Sequence, residues 1–354
     1  MNNQSSIINH PSSIRASAPG SLMLLGEHAV LHGRRALVCA INKRITVELL
    51  QCLEKVVRIH SDLGNYEAPL DALTDHPDFR FVLDAVKQYP LEQGIELKIE
   101  SEFSSDIGFG SSAAVTVATH AVLMDLVGTP LRGVRGPLGE RSLPLEELFK
   151  RSLATIHRVQ GRGSGADVAA SVFGGVVAYR AEPMEIVPLK EAFPLTAVYS
   201  GSKMKTADVI RYLEERRALN ADYFEKIFDR MDASVGEVVA DFPTLGRNLI
   251  LNQKLMEEMG LCNAALAEII GIFKSLSAPS GVEGGIPAKI SGSGLGDCAV
   301  GLGSVAPTGL LASGGENKPF GNYPVYALQV EAQGCSIRDG TAAGTAVGSA
   351  RFLF

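Results

Sequence analysis

Apolar positions along the chain recur in two rhythms, one of period two and one of helical spacing, and the changes between them mark out the elements. Ile14–Ala18 and Leu22–Gly26 read as short strands around a Pro19-Gly20 turn. Ala36–Ile41, Arg44–Leu53 and Val56–His60 continue as apolar or alternating strand runs, and Phe79–Tyr89 has helical spacing. Gly94–Glu100 alternates apolar and charged side chains, as a half-buried strand does. The stretch Asp106-Ile107-Gly108-Phe109-Gly110-Ser111-Ser112 then opens a helix of small and apolar residues that reaches about Val127. Gly128–Pro144, rich in Gly, Arg and Pro, reads as an exposed connection. Leu145–Val159 and Ala166–Val172 are predicted helices around the cluster Gly161-Arg162-Gly163-Ser164-Gly165, and Gly174–Arg180 a strand.

The texture changes after Ala181–Pro194, a stretch with three prolines where a first domain is expected to end. The division falls at 1–185 and 186–354, and a chain of 354 residues is long enough for two cores. Beyond it, Leu195–Ser200 is a predicted strand, followed by helices at Thr206–Ala218, Ala221–Ala240, Pro243–Met259 and Asn263–Ser277. A third glycine cluster, Ser291-Gly292-Ser293-Gly294-Leu295-Gly296, lies between the predicted strands Ala288–Ile290 and Cys298–Gly301. Val325–Val330 supplies a last strand, while Gly303–Asn322 and the tail after Gly334 read as loose segments.

Composition narrows the class. Hydrophobic content of 46% with 20% charged residues describes a globular chain, and a net charge of −6 argues against a nucleic-acid binder. The five cysteines are scattered, without the paired spacing of a zinc site or a disulfide framework. Met1–Ser13 lacks the apolar core of a signal peptide, and the helix from Ala113 is interrupted by Thr116, Thr119, His120 and Asp125, so a cytoplasmic protein without membrane spans is expected.

The chemistry concentrates in the glycine clusters. Gly108 and Gly110 permit a tight turn and close approach of the backbone to a ligand, and the helix that follows presents unpaired N–H groups at its positive end. Phosphate is the natural guest of such a loop, although a glycine turn with a serine cap has the same look. Gly108-Phe109-Gly110-Ser111-Ser112-Ala113 also fits a dinucleotide fingerprint, but Thr129-Pro130-Leu131-Arg132 stands where its ribose-binding acid belongs. No Lys-Ser/Thr pair follows, so it is not a Walker A loop. Ser111 and Ser112 offer hydroxyls to phosphate or to a magnesium ion. Asp167 opens a short helix in apolar company, either as a partner of the helix dipole or as a base that orients a hydroxyl nucleophile.

Three motifs in order resemble those of the GHMP kinases: Ala18-Pro19-Gly20 with Leu25-Gly26-Glu27-His28-Ala29-Val30, then Gly108-Phe109-Gly110-Ser111-Ser112-Ala113-Ala114, then Lys289-Ile290-Ser291-Gly292-Ser293-Gly294-Leu295-Gly296-Asp297-Cys298. Gly26–Gly33 and Asn252-Gln253-Lys254-Leu255-Met256 are most similar to the mevalonate kinases of that superfamily. Gln160–Ala169 and Gly296-Asp297-Cys298 look more like phosphomevalonate kinases. The resemblance implies an α+β fold of two domains, an N-terminal ribosomal-protein-like α/β domain and a C-terminal ferredoxin-like domain. It implies ATP-dependent phosphorylation of the primary hydroxyl of mevalonate, in isoprenoid precursor synthesis, with magnesium. Phosphomevalonate as acceptor, or a non-catalytic nucleotide- or metabolite-binding protein, are the alternatives. A homodimer is also a family expectation.

Carried over by position, Gly108, Phe109, Gly110, Ser111, Ser112 and Ala113 would hold the ATP phosphates, with Ser111 and Ser112 near the metal. Asp167 would be the catalytic base. Glu27, His28, Thr206, Gly292 and Ser293 would bind substrate, and Gly292, Gly294 and Gly296 would pack near the phosphate loop. Two departures stand out. Ser21 occupies the place of the family's lysine, and Ile156 that of a metal-binding glutamate eleven residues before Asp167. Lys203, Lys205, Lys43 or Arg34 are candidate replacements for the cation, and His157 neighbours the missing carboxylate.

Overall fold

The computed structural model describes residues 13–128, 143–276, 285–305, 309–310 and 316–340. Most of the connection expected at Gly128–Pro144, parts of the Gly303–Asn322 loop, the end of the last helix past Leu276 and the tail from residue 341 lie outside the described residues. The first half contains β1 (Ile14–Leu25), β2 (Ala36–Cys52), β3 (Val56–Ser61), β4 (Gly64–Pro69), α1 (Arg80–Val86), β5 (Gly94–Ser101), α2 (Ser111–Leu126), α3 (Leu145–Gln160), α4 (Ala166–Phe173), β6 (Val176–Arg180) and β7 (Glu185–Leu189). The second contains β8 (Pro194–Tyr199), α5 (Thr206–Leu219), α6 (Ala221–Ala240), α7 (Leu245–Glu258), α8 (Ala264–Ser275), β9 (Ala288–Ser291), β10 (Cys298–Leu302), β11 (Gly309–Leu310), β12 (Glu316–Asn317), β13 (Val325–Gln329) and β14 (Ser336–Asp339).

Pro19-Gly20 is not a turn. β1 runs through it as one strand, with a register shift against β2 between the two residues. A bulge tolerates a proline that has no N–H to give to the ladder. Gly20 is needed for a different reason: a Cβ there would lie 2.6 Å from the Phe109 carbonyl oxygen. β2 is likewise continuous through Asn42-Lys43, and it pairs with β6 over its first part and with β5 over its last.

The larger sheet has the order β14-β1-β2-β5-β3-β4, with β6 and β7 branching from β2. Its β3–β5 pair is parallel and the other pairs are antiparallel. α2 packs against β1, β2, α1, α3 and α4, which is why its sequence is apolar nearly all round rather than striped. The smaller antiparallel sheet runs β13-β8-β10-β9, the strand order of a ferredoxin-like fold, with α7 and α8 packed against β9. We propose keeping two units but giving β7 and β14 to the first. β7 pairs with β6 there, and Ser336–Asp339, read as part of a loose tail, returns to pair with β1. Among the described residues, no helix is long and apolar enough to cross a membrane.

Candidate active site

The three glycine motifs converge where β1, the N-terminus of α2 and the loop between β9 and β10 meet. Ser21 on β1 donates its backbone N–H to the Phe109 carbonyl at 3.0 Å. Gly110, at φ 66°, caps α2 without any side-chain hydrogen bond, and the first turn carries no acid. The helix therefore presents its positive end and its N–H groups uncovered, which suits an anion. A Cβ at Gly110 would fall 2.0 Å from Ser21 Oγ, so both the conformation and the space require glycine.

Asp167 lies one residue into α4, whose start is turned by Gly165 at φ 89°. Ser21 Oγ donates to Asp167 Oδ1 at 2.7 Å, and Ser171 Oγ on the same helix donates to the Pro19 carbonyl at 2.8 Å. The serine in the lysine's place thus joins Asp167 to the strand that carries the phosphate loop. Burial pushes the pKa of Asp167 upward although the residue as a whole is only partly buried, while the Ser21 hydrogen bond opposes the rise and the charge of Glu27 adds to it. A carboxylate so placed is held ready to take a proton nearer neutral pH than an ordinary one.

Glu27 departs from its expected role. Both its oxygens are committed, one to the buried ammonium of Lys289 and the other to Asn252 Nδ2 at 3.1 Å, so the residue anchors β1 to β9 and α7 instead of facing an acceptor. Lys289 also donates to the Ile290 carbonyl, and burial lowers its pKa against the opposing pull of Glu27. Asn252 accepts the Gly26 N–H at 3.3 Å, and Gln253 accepts that of Ile290 at 2.8 Å. The Asn252-Gln253 pair of α7 therefore ties the first motif to the third.

His28 follows at φ 62°, in the left-handed region, and its Nε2 lies 2.8 Å from the Ser293 carbonyl. That acceptor requires the proton on Nε2, and burial lowers the ring's pKa against the opposing pull of the Ser293 hydrogen bond and Glu27. Ser293 Oγ is buried with no hydrogen-bond partner, a donor and acceptor aimed at no described residue. Thr206, by contrast, is exposed at the first position of α5 and makes no hydrogen bond to His28 or Ser293 among the described residues.

The third glycine cluster meets the phosphate loop through other residues than its glycines. Gly294 is closed in by Leu261 and Gly296 by Ser202–Met204, both within the second unit. The contact is made by Cys298, whose Sγ lies 3.0 Å from the Ile107 carbonyl, and by Asp297, against which a Cβ on Gly108 would press at 3.1 Å. Asp297 is 6% exposed, and its Oδ1 has no hydrogen-bond partner. Burial pushes its pKa up to about 6, with the charge of Lys203 opposing and that of Asp167 adding.

Of the four cations considered for the missing lysine, Lys203 reaches the segment before the loop, its Nζ donating to the Ser105 carbonyl at 2.9 Å. Arg34 is taken by Glu225 and Asp229. Ile156 is buried beside Gly163, and His157 Nε2 holds the Gly163 carbonyl at 2.8 Å, which fixes the loop before α4. Sequence reasoning did not single out Lys289 or Asp297, although a lysine in a fully buried strand signals a hidden partner.

Glycine loops brought together at an open helix N-terminus beside a buried carboxylate suit phosphoryl transfer to a small molecule, and residues 79–175 match the model of the GHMP kinases N terminal domain. The chain belongs to the GHMP kinase family. Residues 5–49 also match the galactokinase galactose-binding signature. Among curated relatives, the mevalonate kinase of Archaeoglobus fulgidus is 33% identical over 292 residues, covering 81% of this chain and 91% of that protein. That of Pyrococcus furiosus is 29% identical over 314 residues, covering 81% and 88%. Among solved structures, Methanococcus jannaschii mevalonate kinase matches at TM-score 0.70 and 19% identity, over 89% of this chain and 98% of that one. The L. major mevalonate kinase in complex with R-mevalonate matches at TM-score 0.68 and 19% identity, over 90% and 96%.

Proposed function

We propose that this chain is a mevalonate kinase, which transfers the γ-phosphate of ATP to the primary hydroxyl of mevalonate on the way to isoprenoid precursors. The observation that carries the chemistry is the Asp167 carboxylate, held by Ser21 on the strand that also bonds the phosphate loop. The choice of acceptor rests on the similarity to relatives named mevalonate kinase over 81% of the chain.

In this reading the backbone of Gly108–Ala113 and the open N-terminus of α2 cradle the phosphates, with the Ser111 and Ser112 hydroxyls at its mouth. Asp167 takes the proton of the attacking hydroxyl. His28 and the unpartnered Ser293 hydroxyl form the acceptor side with Gly292, and Glu27 keeps that wall in place through Lys289. Thr206 belongs to the acceptor side only through the family likeness. Little covalent work falls to the protein, because positioning and charge stabilisation dominate phosphoryl transfer.

A magnesium ion suits the residues present. The described residues hold no group of three or more His, Cys, Asp or Glu that would bind a metal unaided. Magnesium does not need one, since it is commonly carried by substrate phosphates with one or two protein oxygens. The Ser111 and Ser112 hydroxyls are such oxygens. Bound there, the ion would neutralise charge on the phosphates as the γ-group departs.

Removing the Ser21 hydroxyl withdraws the hydrogen bond that favours ionised Asp167, so its pKa should rise further. Ser21→Ala is therefore expected to move the acid limb of the kcat/KM profile to higher pH while the alkaline plateau persists. An acid limb that stays where it was would separate Ser21 from Asp167 in function.

The acceptor is tested by supplying ATP with mevalonate, phosphomevalonate, homoserine or galactose and following ADP. Mevalonate should give by far the highest kcat/KM. Turnover with phosphomevalonate alone would transfer the assignment to that sister activity, which the Gly296-Asp297-Cys298 motif resembles. ATP binding without turnover of any acceptor would make the chain a binding protein.

A further inference from the structure

Asp297 has a role that the phosphate cradle and the base do not account for. Its carboxylate lies between two glycine loops, with Gly108 of the phosphate loop on one side and Gly292 on the other, where added Cβ atoms would stand 3.1 and 3.4 Å from it. At 6% exposure it keeps a buried oxygen, Oδ1, to which no described group donates a hydrogen bond. Burying an unpaired carboxylate oxygen is costly unless a ligand completes it. The nearest candidate cation does not: Lys203 influences Asp297 electrostatically, but its ammonium donates to the Ser105 carbonyl. Asp167 adds a second negative charge felt by Asp297. Nucleotide phosphates would bring more anions to the same place, and a carboxylate bare against them would repel the substrate. A divalent cation between carboxylate and phosphate reverses that sign. The chain also has an opening for such a carboxylate, because the position where the family resemblance puts an acid is the buried Ile156.

We propose that Asp297 is a direct ligand of the divalent cation that enters with the nucleotide, supplying the carboxylate that Ile156 cannot. The proposal rests on the kinase reading of the site, but not on the identity of the acceptor.

The test measures Mn²⁺ binding by electron paramagnetic resonance in the presence of a β,γ-imido analogue of ATP and without acceptor. The wild-type chain is compared with Asp297→Asn and Asp297→Gly. Both replacements tolerate the φ of 61° at this position, and Asn keeps the side-chain shape. Circular dichroism and thermal unfolding check that each variant is folded. Mn²⁺ affinity in the ternary complex should fall by about 10-fold or more, the loss typical when a metal site's supporting groups are removed. Affinity for the metal-free analogue should be unchanged or higher, since a negative charge has gone. Mn²⁺ affinity within about two-fold of wild type in the folded variants overturns the proposal; it would mean that Asp297 is protonated and bonds phosphate directly, as Asn can. A wild-type chain that binds no nucleotide would overturn the kinase reading along with it. Failure to phosphorylate mevalonate, with the Mn²⁺ difference intact, would overturn only the choice of acceptor.

Discussion

Asp167→Asn is expected to bind ATP as the parent does and to turn over about 100-fold more slowly or worse, the range seen when a positioned acid–base group is lost. The substitution is nearly isosteric. An asparagine carbonyl can still accept the hydrogen bond from Ser21 Oγ, which spans 2.7 Å to the aspartate, so α4 and the phosphate loop should keep their relation. What disappears is the basic oxygen. Burial has already raised the affinity of that oxygen for a proton, which is the property a base acting on an alcohol needs. Stopped-flow measurement of nucleotide binding with steady-state turnover separates the two effects. Near-normal turnover would remove Asp167 from the chemistry, and weakened nucleotide binding with normal turnover would assign it to the cradle.

The second large effect concerns the wall behind the site. Lys289 is fully buried and Glu27 is 3% exposed, and the two form an ion pair across the two units. Replacing Lys289 by Met preserves most of the volume but strands the Glu27 carboxylate, a change that costs about 3–5 kcal/mol when one member of a buried pair is removed. Thermal unfolding should show it as a Tm lower by roughly 5 °C. Adding Glu27→Gln to Lys289→Met removes the stranded charge and should recover a substantial part of the loss. A double variant no better than the single would mean that the pair's contribution lies in packing rather than charge.

Much of the architecture was legible because its signals are local. The glycines before α2 and α4, the apolar run of α2 and the spacing of α6 to α8 are all written within a dozen or so residues, and those elements lie within a few residues of where the periodicity puts them. The three motifs likewise gave the order and the chemistry of the loops. Short edge strands were the weak point. Gly64–Pro69 alternates buried and exposed side chains only over four residues between a glycine and a proline, and Glu185–Leu189 is partly buried without alternation, so their pairing is decided by the neighbours β3 and β6. Pro19-Gly20 misled for a related reason. Its residues are those of a turn, but here they form a bulge that brings β1 against Phe109.

The site was legible in its parts but not in its wiring. Asp167 could be picked out beside its glycine cluster, whereas its bond to Ser21, 146 positions earlier, could not. The same holds for Glu27, whose partner Lys289 is 262 positions away. Its burial turned an expected pocket residue into an anchor. Asp297 shows the opposite case. Its place in the third motif was plain, but only its missing hydrogen-bond partner and its position against Gly108 distinguish it from an ordinary loop acid.

In the proposed reaction, Asp167, the phosphate loop and the third glycine motif together move a phosphoryl group onto an alcohol. A single-turnover reaction with γ-labelled ATP, mevalonate and excess wild-type protein tests it most directly. Label should appear on the primary hydroxyl of mevalonate within one turnover, and in Asp167→Asn it should remain on bound ATP over the same time. Label released as inorganic phosphate would mean that the alcohol is not the acceptor, and label transferred equally by both proteins would mean that Asp167 takes no part in the transfer.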